Sequence, residues 1–277
     1  VSRITVLVEN TAAGQNLLAE HGLSYWIELG ARRILFDTGQ GMVLRHNAHK
    51  LGIPLETADT VVLSHGHYDH TGGLEEMLRT APSLTLYCHP FALSPRYIRQ
   101  ANGTAREIGM PQSTATAAQS WPRVVWTTSP TEICPGLYAT GPIPRSTAFE
   151  DTGGPFFEDE AMERPDTFPD DQALYVETKH GTLVLLGCAH AGIINTLRYV
   201  IELTGHRPVW GVAGGTHLVS ASPERMNRTI DELRKLNMRR LMPAHCTGFF
   251  AMARLEQEFP ACYLPCPVGT TIDTELP

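Results

Sequence analysis

Several things are scarce in this chain of 277 residues. No stretch approaches the roughly 18 continuous apolar residues that a membrane-spanning helix requires, so no membrane partner is expected. Basic residues are outnumbered, 22 Lys and Arg against 29 Asp and Glu. The resulting net charge of −7 argues against nucleic acid or anionic lipid as a partner. Cysteine is sparse: Cys88, Cys134, Cys188, Cys246, Cys262 and Cys266 are too scattered for a disulfide framework. Thiols in a reducing cytoplasm are the expectation. Residues 1–10 read as a strand and lack the basic start and cleavage site of a secretory leader. Charged residues make up only 18% and hydrophobic ones 42%, a globular balance rather than a disordered one. With 24 Gly and 20 Pro the chain must turn often, which suits a loop-rich enzyme better than a helical bundle. Histidine is what the chain has in excess. Its 12 copies of the commonest metal ligand make their placement the question to follow.

Strand and helix patterns alternate along the chain without a clear linker. Tyr25 to Leu29 and Arg33 to Asp37 read as a hairpin around Gly30, followed by a helix over Met42 to Leu51 that stops at Gly52 and Pro54. Thr60 to Ser64 and Leu84 to Cys88 are short apolar strands flanking a helix at Leu74 to Arg79. Residues 101–122 show weak periodicity and read as loop with room for a short helix. Residues 143–171 form a long irregular stretch with Pro144, Pro155, Pro165 and Pro169, and nine acidic residues from Glu150 to Asp171. A solvated surface loop is the plain expectation, and a flap over a site the alternative. A second hairpin turns at His180–Gly181. After it come a helix at Ile193 to Leu203, a strand at Val209 to Ala213, a helix at Pro223 to Leu236 and a strand at Arg239 to Met242. Two similar layers packed into one domain over 1–277 fit this order.

Chemistry concentrates in Ser64-His65-Gly66-His67-Tyr68-Asp69-His70-Thr71-Gly72-Gly73. In an extended stretch His65 and His67 point to the same side and can grip one ion. Asp69 and His70, from the turn that follows, can hold a second. Imidazole and carboxylate together suit zinc.

Those residues carry a resemblance. Ser64–Gly73 resembles the HxHxDH signature, with its following TGG, of the metallo-β-lactamase-fold superfamily, and Asp37-Thr38-Gly39 resembles its buttressing aspartate motif. More narrowly, the chain resembles the dihydropterin-methyl-ribofuranosylaminobenzene 5′-phosphate synthase-like branch. The segments that carry this are Leu23–Trp26, Phe36–Gln40, Gly141–Arg145, Gly187–Gly192, Gly214–Leu218 and His245–Gly248. The implied fold is an α/β (α+β) four-layer αβ/βα sandwich of two mixed sheets flanked by helices, with a dinuclear metal site where the sheets meet.

The resemblance also implies a ligand set. His65, His67 and His190 serve one ion, and Asp69, His70 and His245 the other, with Asp37 holding the metal loop from behind. Two divalent ions are implied, zinc first, with iron or manganese as alternatives. Cys188 stands where many relatives place a bridging aspartate; it is either a thiolate ligand or a buried neutral thiol. His217 is expected to contact substrate or act as a general acid, and Arg145 to clamp a phosphate or carboxylate. The principal expectation is a hydrolase that attacks a small, ester-type, anionic or phosphorylated substrate with a metal-bound hydroxide oriented by Asp69. The alternatives are a transferase or synthase acting on a pterin or ribosyl phosphate, with Trp26, Tyr68 or Phe149 stacking a ring, and a non-catalytic metal-binding member. Assembly into a homo-oligomer is left open.

Overall fold

The computed structural model describes residues 2–275. They form two compact units, each with its own sheet and its own apolar core. The first unit runs to Thr128 and adds Pro155–Asp166 and Pro267–Thr274; the second comprises Ser129–Gly154 and Thr167–Cys266.

The first unit is built on a seven-stranded sheet. Its strands lie in the order Thr271–Thr274, Ser2–Val8, Ser24–Leu29, Arg32–Phe36, Thr60–Val62, Thr85–Cys88 and Val124–Trp126. The first four pair antiparallel and the last three join in parallel. Helices Leu44–Lys50, Leu74–Thr80 and Gln112–Gln119 contribute Leu44, Ala48, Met77, Leu78, Ala115 and Ala118 to one buried cluster with Trp26, Leu35, Val61 and Leu86. Trp26 is fully buried there, so the expectation that it stacks a substrate ring is corrected: its ring is core. A small three-stranded sheet pairs Phe156–Phe157 with Tyr97–Arg99 and Ala105–Glu107.

The second unit has a six-stranded sheet in the order Arg240–Ala244, Val209–Gly215, Gly181–Leu186, Leu174–Thr178, Leu137–Ala139 and Thr131–Cys134. Its first three strands are parallel, and their apolar runs read as buried on both faces. Helices Ile193–Leu203, Pro223–Lys235 and Phe249–Glu258 close its core through Ile194, Leu197, Ile230, Leu233 and Leu255. The Ser222 side chain accepts from Arg225 N and Pro223 opens the first turn, the start that this sequence predicts.

Residues 101–122 hold the short helix for which the sequence leaves room, at Gln112–Gln119, and a strand at Ala105–Glu107 that no local pattern marks. One expectation is corrected. The acidic stretch is irregular but only partly solvated, because Glu150, Asp166, Asp170 and Asp171 are all buried. Asp166 pairs with the fully buried Arg96, and the Glu150 carboxylate caps a helix. A charge run in sequence resembles a wet surface until its buried partners are known.

Candidate functional site

In the first unit, the apolar strand Thr60–Val62 delivers the chain to Ser64 and the histidine loop. Asp37, at the end of the neighbouring strand, organises that loop from a fully buried position and a left-handed backbone, φ 58°. Its Oδ1 accepts from Ser64 N at 2.7 Å, and its Oδ2 accepts from Ser64 Oγ at 2.6 Å and from His70 Nδ1 at 2.7 Å. With Nδ1 donating to a carboxylate, His70 presents Nε2 as its metal-binding edge. The His65 ring lies 4.6 Å from His67 and 4.3 Å from His70, centroid to centroid. Burial, then the neighbouring His70 and His67, push His65 well below the ordinary histidine range. It is held neutral, as a ligand must be. Asp69 Oδ2 lies 3.1 Å from His21 Nε2. His21 reads as a surface residue in the sequence, and no local motif marks it.

The second unit gathers its donors from three successive strand ends. Cys188 and His190 follow Gly181–Leu186, His217 follows Val209–Gly215, and His245 and Cys246 follow Arg240–Ala244. Donor atoms of Cys188, His190 and His217 lie within 4.8 Å of one another, as do those of Cys188, His245 and Cys246. The His190 and His217 rings are 4.3 Å apart. Ala189, His217 and His245 all have positive φ, strain of about 1–3 kcal/mol each that the surroundings must offset.

His190 is the most closely held of these. Its Nδ1 donates to the Thr152 carbonyl at 2.9 Å, which turns Nε2 into the accepting edge. Phe168, itself at φ 55°, lays its ring flat on the imidazole, 3.9 Å between centroids and 9° between planes. Asp171 Oδ2 accepts from Ala191 N at 2.8 Å; burial pushes that carboxyl up to about 7. Arg145 donates from Nη1 to the His190 carbonyl and from Nη2 to the Glu150 carbonyl. The arginine proposed as an anion clamp thus has its two Nη groups on backbone carbonyls around His190. Phe168, Glu150, Asp171 and Cys246 are the residues that sequence reasoning missed. Only Cys246, beside His245, carried a local hint.

Each unit therefore holds buried imidazoles beside a carboxylate or a thiol, and in His70 and His190 the Nδ1 is already committed. That donor chemistry fits divalent metal.

The model of the metallo-β-lactamase superfamily matches residues 18–245. The chain belongs to that superfamily. Within this family it is 30% identical over 257 residues to 7,8-dihydropterin-6-methyl-4-(β-D-ribofuranosyl)-aminobenzene-5′-phosphate synthase of Methanocaldococcus jannaschii, covering 87% of this chain and 85% of that one. A second protein of the same organism, uncharacterized, is 31% identical over 255 residues, 92% of this chain and 94% of its own. The solved structure of a metal-dependent hydrolase of the β-lactamase superfamily superposes with a TM-score of 0.83 at 29% identity, over 99% of this chain and 100% of its own. The fold is that of the metallo-β-lactamases, as the HxHxDH resemblance implies.

The hydrolase expectation is corrected by the match to a synthase along most of both chains. The physical reason is plain. HxHxDH marks where metal charge is placed, and charge beside a phosphoryl or carbonyl oxygen serves bond formation as well as hydrolysis. Nothing in that motif names the group that accepts the transfer.

Proposed function

We propose that this protein is a synthase of the transferase type, acting on a pterin or a ribosyl phosphate. The observation that carries the reading is the 30% identity to the aminobenzene ribosyl phosphate synthase over 87% of the chain. A small-molecule substrate with a flat heterocycle and a phosphate would call on both the buried imidazoles and an aromatic face. Tyr68, next to Asp69, is half-buried, and half-buried Phe149 stacks under Arg228 at 4.6 Å; these two replace Trp26 as ring-stacking candidates.

In the proposed ligand set the first unit supplies His65, His67, Asp69 and His70, and the second supplies Cys188, His190 and His245. Bound divalent ions, zinc in first place, supply positive charge that steadies the oxygens of a phosphorylated substrate. The protein's own groups do the remaining work. Asp37 keeps His70 in one tautomer and Ser64 in one rotamer. Thr152 and Phe168 set the His190 plane. Half-buried His217, its ring 4.3 Å from that of His190, serves as proton donor or acceptor, and Asp69, with His21 at its side, orients the incoming group.

The test is direct. Full-length protein with added zinc is incubated with an aminobenzene ribosyl phosphate and a dihydropterin activated at its 6-methyl carbon. Mass spectrometry should then show a product joining the two. Absence of that product with metal-loaded wild-type protein overturns the reading. His217→Ala is expected to lower product formation by about 10²-fold or more, the usual weight of a positioned acid or base.

A further inference from the structure

The helix Pro223–Lys235 buries a cation where a helix is least suited to hold one. Arg225 stands in its first turn, just after the Ser222 cap, at the end where the helix dipole is positive. Its side chain is 2% exposed, and burying a guanidinium is costly unless its donors are matched. Nη1 donates to Asp151 Oδ1, whereas Nε and Nη2 make no hydrogen bond among the described residues. The pairing is also lopsided, because the Asp151 side chain is 73% exposed. Dipole, desolvation and pairing all work against stability here, so the value of this arginine lies in what it holds.

What it holds is a turn. The Asp151 oxygen that receives Arg225 also accepts from Gly153 N at 2.8 Å, which closes residues 151–153 on themselves. Ser220 Oγ donates to the Gly153 carbonyl at 2.8 Å and ties the same turn to the segment that follows His217. Gly153, at φ 86°, lies directly on the His217 imidazole: a Cβ there would stand 2.1 Å from its Nδ1. We infer that Arg225 is a positioning residue for His217, acting through the Asp151 carboxylate and the Gly153 main chain. The guanidinium pins one oxygen, that oxygen fixes the turn, and the turn is the wall against which the imidazole stands. The effect on turnover rests on the synthase reading, in which His217 moves a proton; the placement of the ring does not.

Arg225→Met separates this from a merely structural role. Methionine roughly keeps the volume and drops the charge, and an apolar replacement of a buried, imperfectly paired ion is often neutral or stabilising. The urea midpoint of the full-length protein should therefore hold. The His217 ring signals in nitrogen-15 spectra should nevertheless shift and broaden, while those of His70, held by Asp37 in the other unit, stay fixed. Arg225→Lys, which can still offer Asp151 one donor, should restore them. In the product assay kcat should fall about 10-fold in Arg225→Met with KM little changed, the mark of a displaced group rather than a lost binding contact, and should recover in Arg225→Lys. Unchanged His217 signals in Arg225→Met overturn the inference, as does a lysine variant no closer to wild type than the methionine one. Wild-type protein that forms no product overturns the synthase reading alone, and the ring signals still decide the placement. If Arg225→Met does not fold, Asp151→Ala, at an exposed side chain, is held to the same outcomes.

Discussion

The two units solve the same problem, holding several imidazoles in one orientation, by opposite means. In the first, the histidines sit within six residues of one another and a single buried carboxylate, Asp37, receives Ser64 and His70. In the second, the donors come from three strand ends and the support comes from a distant irregular stretch. Thr152, Phe168 and Asp171 surround His190, and Glu150 caps the helix that follows it. Local order needs one anchor; assembled order needs many. The first arrangement should therefore fail at one residue, and the second should fail by degrees.

The sharpest way to break the first unit is Asp37→Ala, which leaves three buried donors without their acceptor. It should cost about 3–5 kcal/mol in urea unfolding and reduce metal content in the same preparation. Phe168→Ala in the second unit should cost about 3 kcal/mol through the cavity it opens. The same change frees the His190 ring, visible as loss of a single tautomer in nitrogen-15 spectra, whereas Phe168→Tyr should restore the tautomer. An intact His190 signal in Phe168→Ala would remove the ring-setting role. Glu150→Ala strips the cap from Ile194 and Asn195 and should cost about 1–2 kcal/mol.

Glu150 also gives the comparison a pH dependence. Burial raises its pKa against the opposing hydrogen bonds from Ile194 and Asn195. The folded state then holds the proton more tightly than the unfolded chain, whose glutamates titrate near 4.3. Its contribution to stability is full below that value and declines as pH rises towards the raised folded pKa. Wild type minus Glu150→Gln, measured by urea midpoint between pH 4 and 8, should fall over that window; a flat difference would show that burial does not govern this carboxyl. The smallest effect belongs to His21→Ala, which removes a half-exposed partner of Asp69. It should cost less than about 1 kcal/mol.

The same contrast explains what could be read in advance. His65, His67, Asp69 and His70 were legible because one loop carries them all, and Asp37 through its Asp-Thr-Gly context. The helix Ile193–Leu203 was legible from its apolar periodicity, but the source of its cap was not. Gly192 offers no side chain, and the capping Glu150 lies 44 residues away from Ile194 inside a run of charges. Thr131–Cys134, Leu137–Ala139 and Thr271–Thr274 are strands of three or four residues whose order comes from pairing, not from local pattern. Phe168 was invisible because its meaning depends on a histidine 22 residues later that it meets only in the folded chain.

Two glycine turns in the first unit touch without any side chain between them. A Cβ on Gly72 would stand 2.5 Å from the Gln40 carbonyl oxygen, and one on Gly41 would stand 3.0 Å from Gly73 Cα. Side chains at a joint can be exchanged for longer or shorter ones, so an ordinary joint can be adjusted gradually over generations. This one is made of main chain alone and offers no such dial. A side chain added at Gly72 or Gly41 would therefore have to move main chain next to His70, where no flexible neighbour can give way in its place.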